Sequence, residues 1–397
     1  MAELGFQAFD ADNHYYEAPD AFTRHMDPKV AKRGVRWITV DGKERLMAGN
    51  RLWRFIPNPT FDPVSKPGAL DDYFRGRNPK GQDVREAFGD LESIRPEYRD
   101  RDARLKVMDQ QGLEACFMFP TLGVGAEEAL REDTEALYAT FHAFNCWLDE
   151  DWGFNEQDRI YAAPMLSLLD EDKAVEELAF VLGRGARILC LRAGPILHPS
   201  GGRSPADPVY DRFWSMVEEA GIAVGYHSGD SGYDRYAVDW GSSAEMEAFR
   251  ADPFKRILLN NRPIYDTMAA LVAHGLFARH PNLRVATIES GSTWVPDLLK
   301  TFKKVYGQIP HMFAEDPAET FRRHVWVSPF FEDDIKGLAE HIGVDHILMG
   351  SDWPHAEGLP DPTDYIHDLK GFNESDVRLI MHDNARALAT PRVPAAV

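Results

Sequence analysis

Residues Arg187–Arg192 read RILCLR, a short apolar run bounded by arginines. Continuous apolar runs of this length are typical of parallel strands that are buried on both faces of a sheet. Similar β-rich runs recur along the chain and bring the count to eight. The other seven are Phe6–Asp12, Glu114–Pro120, Ile160–Leu166, Ala223–His227, Arg284–Glu289, Val325–Pro329 and Ile347–Ser351.

Amphipathic helical patterns lie between these runs, for example at Asp133–Trp152 and Val295–Gln308. Strand–helix alternation repeated eight times predicts either a closed barrel or a doubly wound sheet. No G-x-G-x-x-G pattern follows the first strand, which disfavours the dinucleotide-binding alternative. The sequence therefore predicts an α/β fold, a (β/α)8 TIM barrel. Residues 1–390 are expected to form one domain, and residues 391–397 a disordered tail.

Two connections are much longer than a barrel requires. Residues 13–112 are rich in Pro, Arg and aromatic side chains, and residues 228–266 carry several Gly and aromatic residues. Long loops at one end of a barrel commonly shape the pocket of such a fold. We therefore expect the first to cross the barrel mouth and the second to form a lid. The alternative is that both are decorative or take part in a dimer contact.

The composition narrows the range of partners. The chain has 64 acidic residues against 44 Lys and Arg, a formal net charge of −20. Nucleic acids and anionic membranes require a basic face, so neither is an expected partner. Residues 1–12 lack a signal-peptide pattern, no apolar run is long enough to span a bilayer, and the three cysteines are scattered. We expect a cytoplasmic protein that acts on a small molecule.

Polar residues of metal-ligating types stand at the ends of three predicted strands. Asp12 and His14 end the first, His227 ends the fifth, and Asp352 follows the eighth. The carboxyl ends of all barrel strands surround one mouth, so these residues should converge there. Two imidazoles and two carboxylates suit Zn²⁺ or Mn²⁺. The sequence therefore predicts one divalent metal ion at this mouth.

Each of these residues also has a purely structural explanation. Asp12 and His14 could serve a turn or a helix cap, His227 could be a hydrogen-bonded core histidine, and Asp352 could start a turn. Their joint position at three strand ends favours the metal site.

Three motifs carry a resemblance to a known family: DADNH at Asp10–His14, YHSG at Tyr226–Gly229 and GSDWPH at Gly350–His355. With them the chain resembles the amidohydrolase superfamily over nearly its whole length. It is most similar to the amidohydrolase-2 branch, which includes aminocarboxymuconate-semialdehyde decarboxylase. The resemblance implies a barrel with one divalent metal, typically Zn²⁺ or Mn²⁺. It also implies non-oxidative decarboxylation or hydrolysis of a small substrate.

Two residues depart from the family pattern. Asp12 stands where the family has the first histidine of H-x-H, so the first ligand would be a carboxylate. Glu289 stands at the sixth strand, where decarboxylases of this type carry a histidine that acts as acid and base. The leading expectation is a metal-dependent decarboxylase of a small carboxylated substrate, for which an aromatic acid is one candidate. The alternatives are hydrolysis of an amide, ester or lactone, and a non-catalytic barrel that binds a metal or metabolite.

Further residues receive expected roles. Asp352 would ligate the metal and accept a proton, and Glu289 would be an acid–base group or a neighbour that orients His227. His355 would transfer protons or fix its loop. Arginines suit capture of an anionic substrate, although exposed arginines commonly form surface ion pairs instead. The candidates are Arg192, Arg51 and Arg54. Relatives are often dimers, so a homodimer is one further expectation.

Overall fold

The structure is a computed structural model that describes residues 4–78, 80–198, 201–250 and 252–392. Its central strands run parallel and form two sheets, with strand order β1-β2-β3 in one and β4-β5-β6-β7 in the other. The strands are β1 (Ala8–Tyr15), β2 (Leu113–Pro120), β3 (Ile160–Ala162), β4 (Ile188–Arg192), β5 (Ala223–His227), β6 (Arg284–Ile288) and β7 (Val325–Val327).

Short bridges close the two sheets into a ring. Met165 pairs with Cys190 and thereby joins the end of the β3 segment to β4. On the other side, Ile347 pairs with Val327 of β7, and Trp353 pairs with Asn13 of β1. The eight segments therefore surround one axis, which confirms the predicted TIM barrel.

The eighth predicted strand, Ile347–Ser351, is present as a segment but has no regular ladder. The amide of Met349 donates to the carbonyl of Ile380 (3.0 Å), and the amide of Ser351 donates to the carboxylate of Asp10 (3.0 Å). One of these amides is thus bonded to a carbonyl outside the neighbouring strands, and the other to a side chain of β1 instead of its backbone. We refer to residues 347–353 as the eighth segment.

Helices cover the outside of the barrel. Several begin after an aspartate whose carboxylate accepts a backbone N–H of the first turn, as at Asp100, Asp133 and Asp170. Between β5 and β6, the helices Arg262–Ala273 and Leu276–Arg279 are separate, because Gly275 adopts a positive φ of 71° between them. The helices are Arg101–Gln111, Ala126–Leu130, Thr134–Asp151, Glu171–Gly183, Asp211–Ala220, Arg262–Ala273, Leu276–Arg279, Val295–Gln308, Pro317–His324, Ile335–Ile342, Glu374–Arg378 and Asn384–Ala389.

Alternating residues of the strands supply two hydrophobic cores. In β2, Phe117 and Phe119 belong to one core, whereas Cys116 and Met118 belong to the other. The period of two is that of a strand with both faces buried. The first core fills the barrel, where the ring of Phe9 lies 4.9 Å from that of Phe117. The second lies between strands and helices.

In the first long connection, β1 runs on to Tyr15 and a barrel helix begins at Arg101, so we name residues 16–100 the first insertion and residues 228–266 the second insertion. They meet each other, because the amide of Ala248 donates to the carbonyl of Phe55 (2.8 Å) and the rings of Phe88 and Phe249 lie 5.0 Å apart. The first contains strands Val35–Val40, Lys43–Ala48, Arg51–Leu52, Val64–Ser65 and Leu91–Glu92 and helices Asp71–Phe74 and Val84–Ala87, and the second contains helix Pro253–Leu259.

Two further features concern the ends and surface of the molecule. Of the tail expected to be disordered, residues 393–397 lie outside the described residues. Within the described part of the chain, no helix combines the length and the apolar character needed to cross a membrane.

Candidate metal centre and active site

The strand ends bring the four expected metal ligands together. Asp12 and His14 lie at the end of β1, His227 is the last residue of β5, and Asp352 lies in the eighth segment. The Nε2 atom of His14 lies 3.3 Å from Oδ1 of Asp12 and 3.3 Å from Oδ1 of Asp352. The Nε2 atom of His227 lies 3.5 Å from the same Asp12 oxygen. All four side chains are buried.

The two histidines turn the same ring atom towards this cluster. Nδ1 of His14 lies 3.0 Å from the carbonyl of Phe119, and Nδ1 of His227 lies 2.6 Å from that of Ser228. A carbonyl only accepts, so each Nδ1 carries the donated hydrogen and a neutral ring has its lone pair at Nε2. The two Nε2 atoms are 3.3 Å apart.

Oδ1 of Asp12 adds a third lone pair to those of the two Nε2 atoms. This oxygen is buried and has no hydrogen-bond donor among the described residues. Three acceptor atoms with no shared donor would repel one another and remain unsatisfied at considerable cost. A divalent cation would satisfy all three, so the residues present fit a metal ion. We refer to Asp12, His14, His227 and Asp352 as the metal cluster.

The pKa values of the cluster agree with a site for positive charge. Burial and the neighbouring His355 lower the pKa of His14 to about 3, so this ring is neutral. Burial disfavours the charged form of His227, but Asp12 and Glu289 together raise its pKa. Burial also opposes ionisation of Asp12, yet the two neighbouring histidines bring its pKa below the ordinary value. A cation is therefore favoured between Asp12 and the imidazoles.

Asp352 is connected to a chain of hydrogen bonds. Its Oδ1 lies 2.6 Å from Nδ1 of His355, whose Nε2 lies 2.9 Å from the hydroxyl of Thr121. That hydroxyl donates to the carbonyl of Tyr15 (2.8 Å), so it accepts a hydrogen from Nε2 of His355. One further proton must therefore lie between Asp352 and His355. Burial raises the pKa of Asp352 and lowers that of His355, so without a bound cation the carboxyl group holds this proton, which a metal ion at the cluster would displace.

Glu289 follows β6 and approaches the cluster from the other side. Its Oε2 lies 3.3 Å from Nε2 of His227, and 23% of its side chain is exposed to the neighbouring cavity. Burial and the nearby carboxyl of Asp352 raise its pKa well above the ordinary value. Glu289 and Asp352 both have positive φ, 48° and 58°. Such backbone costs about 1 kcal/mol or more for a residue other than Gly and clusters at active sites.

Sequence reasoning missed two carboxylates of this region. A carboxylate oxygen of Glu357 lies within 4.8 Å of one from Glu289 and one from Asp352. Asp10 accepts hydrogen bonds from the amides of Asp12 (3.1 Å) and Ser351 (3.0 Å) and from the hydroxyl of Ser351 (2.5 Å). It thereby ties β1 to the eighth segment. Both lie within or directly beside the quoted motifs, a position that could have identified them.

A cavity of about 920 Å³ opens above the metal cluster. The strand ends supply its floor, including Asp12, His227, Glu289 and Asp352. The two insertions supply most of its remaining walls, which we call the roof. Apolar and aromatic side chains predominate there, with Phe55, Phe61, Val64, Phe88, Met246 and Phe249 among them.

The expected substrate-binding arginines do not line this cavity. Arg192 borders an adjoining side pocket of about 300 Å³, but its guanidinium donates to Glu127 (3.0 Å) and to the carbonyls of Ser231 and Pro195 (both 2.6 Å). Arg54 is exposed and lies 4.0 Å from Glu245, and Arg51 is exposed on a short strand. The arginines that line the cavity are Arg85, Arg250 and Arg256.

Comparisons with known proteins agree with this architecture. The model of a protein family described as Amidohydrolase matches residues 18–388. A crystal structure of amidohydrolase map2389c from Mycobacterium avium subsp. paratuberculosis K-10 is 48% identical, with a TM-score of 0.93, and the match covers 98% of this chain and 100% of that one. A search of curated proteins found no match.

Two decarboxylases share the fold at low identity. The 2,6-dihydroxybenzoate decarboxylase from Rhizobium is 22% identical, with a TM-score of 0.55 and coverage of 83% of this chain and 96% of that one. A dihydroxybenzoic acid decarboxylase from Polaromonas sp. JS666, solved with manganese and the inhibitor 2-nitroresorcinol, is 19% identical with the same TM-score. Its coverage is 81% of this chain and 93% of that one.

Proposed function

The chain belongs to the amidohydrolase family and is an enzyme of that superfamily, and on this premise we propose that it is a metal-dependent, non-oxidative decarboxylase. Its substrate would be a small molecule with a carboxylate and an aromatic or otherwise apolar body. The substrate carboxylate would leave as CO₂, and a proton would take its place on the same carbon.

A divalent ion, Zn²⁺ or Mn²⁺, would be held by Asp12, His14, His227 and Asp352. When bound, such an ion supplies Lewis-acid stabilisation of negative charge on substrate oxygens. The manganese in the decarboxylase from Polaromonas supports a metal of this kind. The mixed ligand set of two imidazoles and two carboxylates suits either ion.

The position of Glu289 carries the proposal. Decarboxylation needs an acid that faces the substrate carbon, and Glu289 faces the cavity next to His227 with its pKa raised by burial. A carboxyl group that stays protonated at neutral pH can donate its proton to carbon as CO₂ departs. Solvent then returns a proton to Oε1 or Oε2. Glu289 would thus take the role of the histidine at this place in related decarboxylases.

Asp352 and His355 would fix the orientation of the side chains on the opposite side of the site. The 2.6 Å hydrogen bond between them fixes the Asp352 carboxyl, and Thr121 fixes the His355 ring through its other nitrogen. Oriented groups of this kind raise the precision of a site without taking part in bond making.

Hydrolysis of an amide, ester or lactone is the second candidate, and the Asp352–His355 pair supports it. If Asp352 lost its proton on metal binding, its carboxylate could accept a proton from water and His355 could share it. Glu289 would then protonate the leaving group.

Isotope labelling separates the two reactions. The purified protein with Mn²⁺ or Zn²⁺ would be incubated in D₂O with aromatic carboxylic acids, and in H₂¹⁸O with amides, esters and lactones. We expect CO₂ release and one deuterium on the product carbon. Incorporation of ¹⁸O without CO₂ would favour hydrolysis. The absence of both signals across the whole panel would reject both reactions. Cytoplasmic location and dimer formation stay predictions.

A further inference from the structure

The cavity is larger than the volume that a single-ring acid would fill. Cavities of about 300–1,000 Å³ are those that enclose drug-sized ligands, and this one measures about 920 Å³. A monocyclic acid whose carboxylate sits on the floor would leave most of this space to water. The roof would then make few contacts with it.

The chemistry of the roof indicates what fills the remaining space. Phe88 and Phe249 pack against Leu70, Val84 and Ala356 in a small hydrophobic cluster separate from the barrel cores. Near the rim, Phe74 and Leu91 line the same cavity and are 38% and 52% exposed. An apolar ligand body that covered these side chains would remove their surface from water, which stabilises binding.

Charge is distributed unevenly between floor and roof. The floor carries the carboxyl groups of Asp12, Glu289, Asp352 and Glu357. The insertions contribute mainly cations, and their one lining carboxylate, Glu247, lies 3.9 Å from Arg250. Arg85, Arg250 and Arg256 line the cavity, and the guanidinium of Arg256 lies 5.9 Å from the ring centroid of Tyr73. In a chain of net charge −20, arginines at one rim favour an anionic group there.

We infer that the substrate is an extended acid with three parts: a carboxylate at the metal cluster, an apolar body of at least two fused rings, and a second anionic group at the roof arginines. The inference rests on the proposed function for the first part. The second and third parts follow from the cavity alone.

Calorimetric titration of the Mn²⁺-loaded protein with three inhibitor-like acids tests this substrate class. The probes are salicylate, 3-hydroxy-2-naphthoate and 3-hydroxy-7-sulfo-2-naphthoate. We expect the second ring to tighten binding about tenfold and the sulfonate to tighten it by roughly another tenfold. Equal or weaker binding of the naphthoate than of salicylate would overturn the extended body. No gain from the sulfonate would overturn the second anion.

Variants of the roof locate the two effects. Combined R85A and R256A should abolish the gain from the sulfonate and leave salicylate binding within about twofold, whereas R54A, which changes an exposed arginine outside the cavity, should leave all three affinities unchanged. A248F should weaken naphthoate binding at least tenfold and spare salicylate, because it fills the cavity beside Phe55. An unchanged sulfonate gain in the double variant would reject the roof arginines.

The binding series and the labelling experiment fail independently. If the naphthoates bind as expected and no acid releases CO₂, the substrate class stands and the decarboxylase proposal falls. If CO₂ is released only from single-ring acids and the naphthoates do not bind, the decarboxylase proposal stands and the extended substrate is wrong.

Discussion

The floor and the roof of the cavity are built on different physical principles. The floor consists of strand ends whose side chains are buried and mutually hydrogen-bonded, as in the Asp352–His355–Thr121 chain. The roof consists of two insertions far apart in sequence, and its arginines are exposed. The floor is supported by both barrel cores, whereas the roof has only a small hydrophobic cluster of its own.

This difference separates chemistry from selectivity. A group that moves protons or holds a metal must be fixed to a fraction of an ångström, and a buried strand end provides that. A group that selects a substrate body can tolerate more motion and more sequence change, and loops provide that. Substitutions in the floor should therefore alter turnover, and substitutions in the roof should alter apparent affinity.

Removal of a metal ligand should have the largest effect. H227A removes one of the two imidazoles of the metal cluster, so we expect loss of stoichiometric metal and at least about a thousandfold lower kcat/KM. Elemental analysis measures the metal content, and the CO₂ assay measures kcat/KM. H274A, at an exposed helix end, should behave like the wild type. Full metal content in H227A would place the ion elsewhere.

Replacement of the proposed acid should come next. E289Q should lower kcat by about a hundredfold to ten-thousandfold while metal content is retained. Because burial raises the pKa of Glu289 and the protonated form donates, wild-type activity should fall as pH rises through that pKa. This alkaline limb should be absent from the residual activity of E289Q. If the alkaline limb persists in E289Q, it belongs to the titration of another group. The control is E340Q, which changes an exposed surface residue.

A roof residue should change KM more than kcat. F249A removes a ring that lines the cavity and packs against Phe88, so KM for an aromatic acid should rise about tenfold and kcat should stay within about twofold. F254A, in the same insertion but at the surface, should leave both constants unchanged. An equal loss of kcat in F249A would contradict the division between floor and roof.

The smallest effect on turnover is expected at Glu17, two residues after the end of β1. Burial raises its pKa to about 7, although the amides of Gly123 and Leu122 bond to it. The folded protein thus holds this proton more tightly than the unfolded chain, and stability should fall as pH rises from about 4.5 to above 7. E17Q should remove that loss and be more stable by up to about 3 kcal/mol at pH 8, with no such gain near pH 4. Urea unfolding at both pH values checks this. A pH-independent difference would contradict it.

Much of the barrel could be predicted from the sequence because buried parallel strands impose a local, apolar pattern. β4 and β5 lie within the predicted runs, and the helix at Thr134–Asp151 differs from its prediction by one residue at each end. The eighth segment fits the apolar pattern but lacks a regular ladder, because two of its amides bond to the Asp10 side chain and the Ile380 carbonyl. Such bonds depend on distant residues and leave no local pattern.

The residues of the metal cluster could also be predicted from the sequence, since strand ends and spacing single out Asp12, His14, His227 and Asp352. The arginines that line the cavity could not be predicted in this way. Arg192 ends a strand as expected, but Glu127 on a separate short helix occupies its guanidinium, and nothing near Arg192 in sequence indicates this pair. Arg85, Arg250 and Arg256 lie in irregular insertions, whose folded path is set by contacts between the insertions.

The backbone hydrogen bond from Ala248 to Phe55 has a consequence for protein engineering. Each insertion presents a complementary edge to the other, so neither is an independent module. A chimera that receives one insertion from a relative would pair mismatched edges above an intact barrel. Recombination of substrate preference between family members should therefore exchange residues 16–100 and 228–266 as one unit.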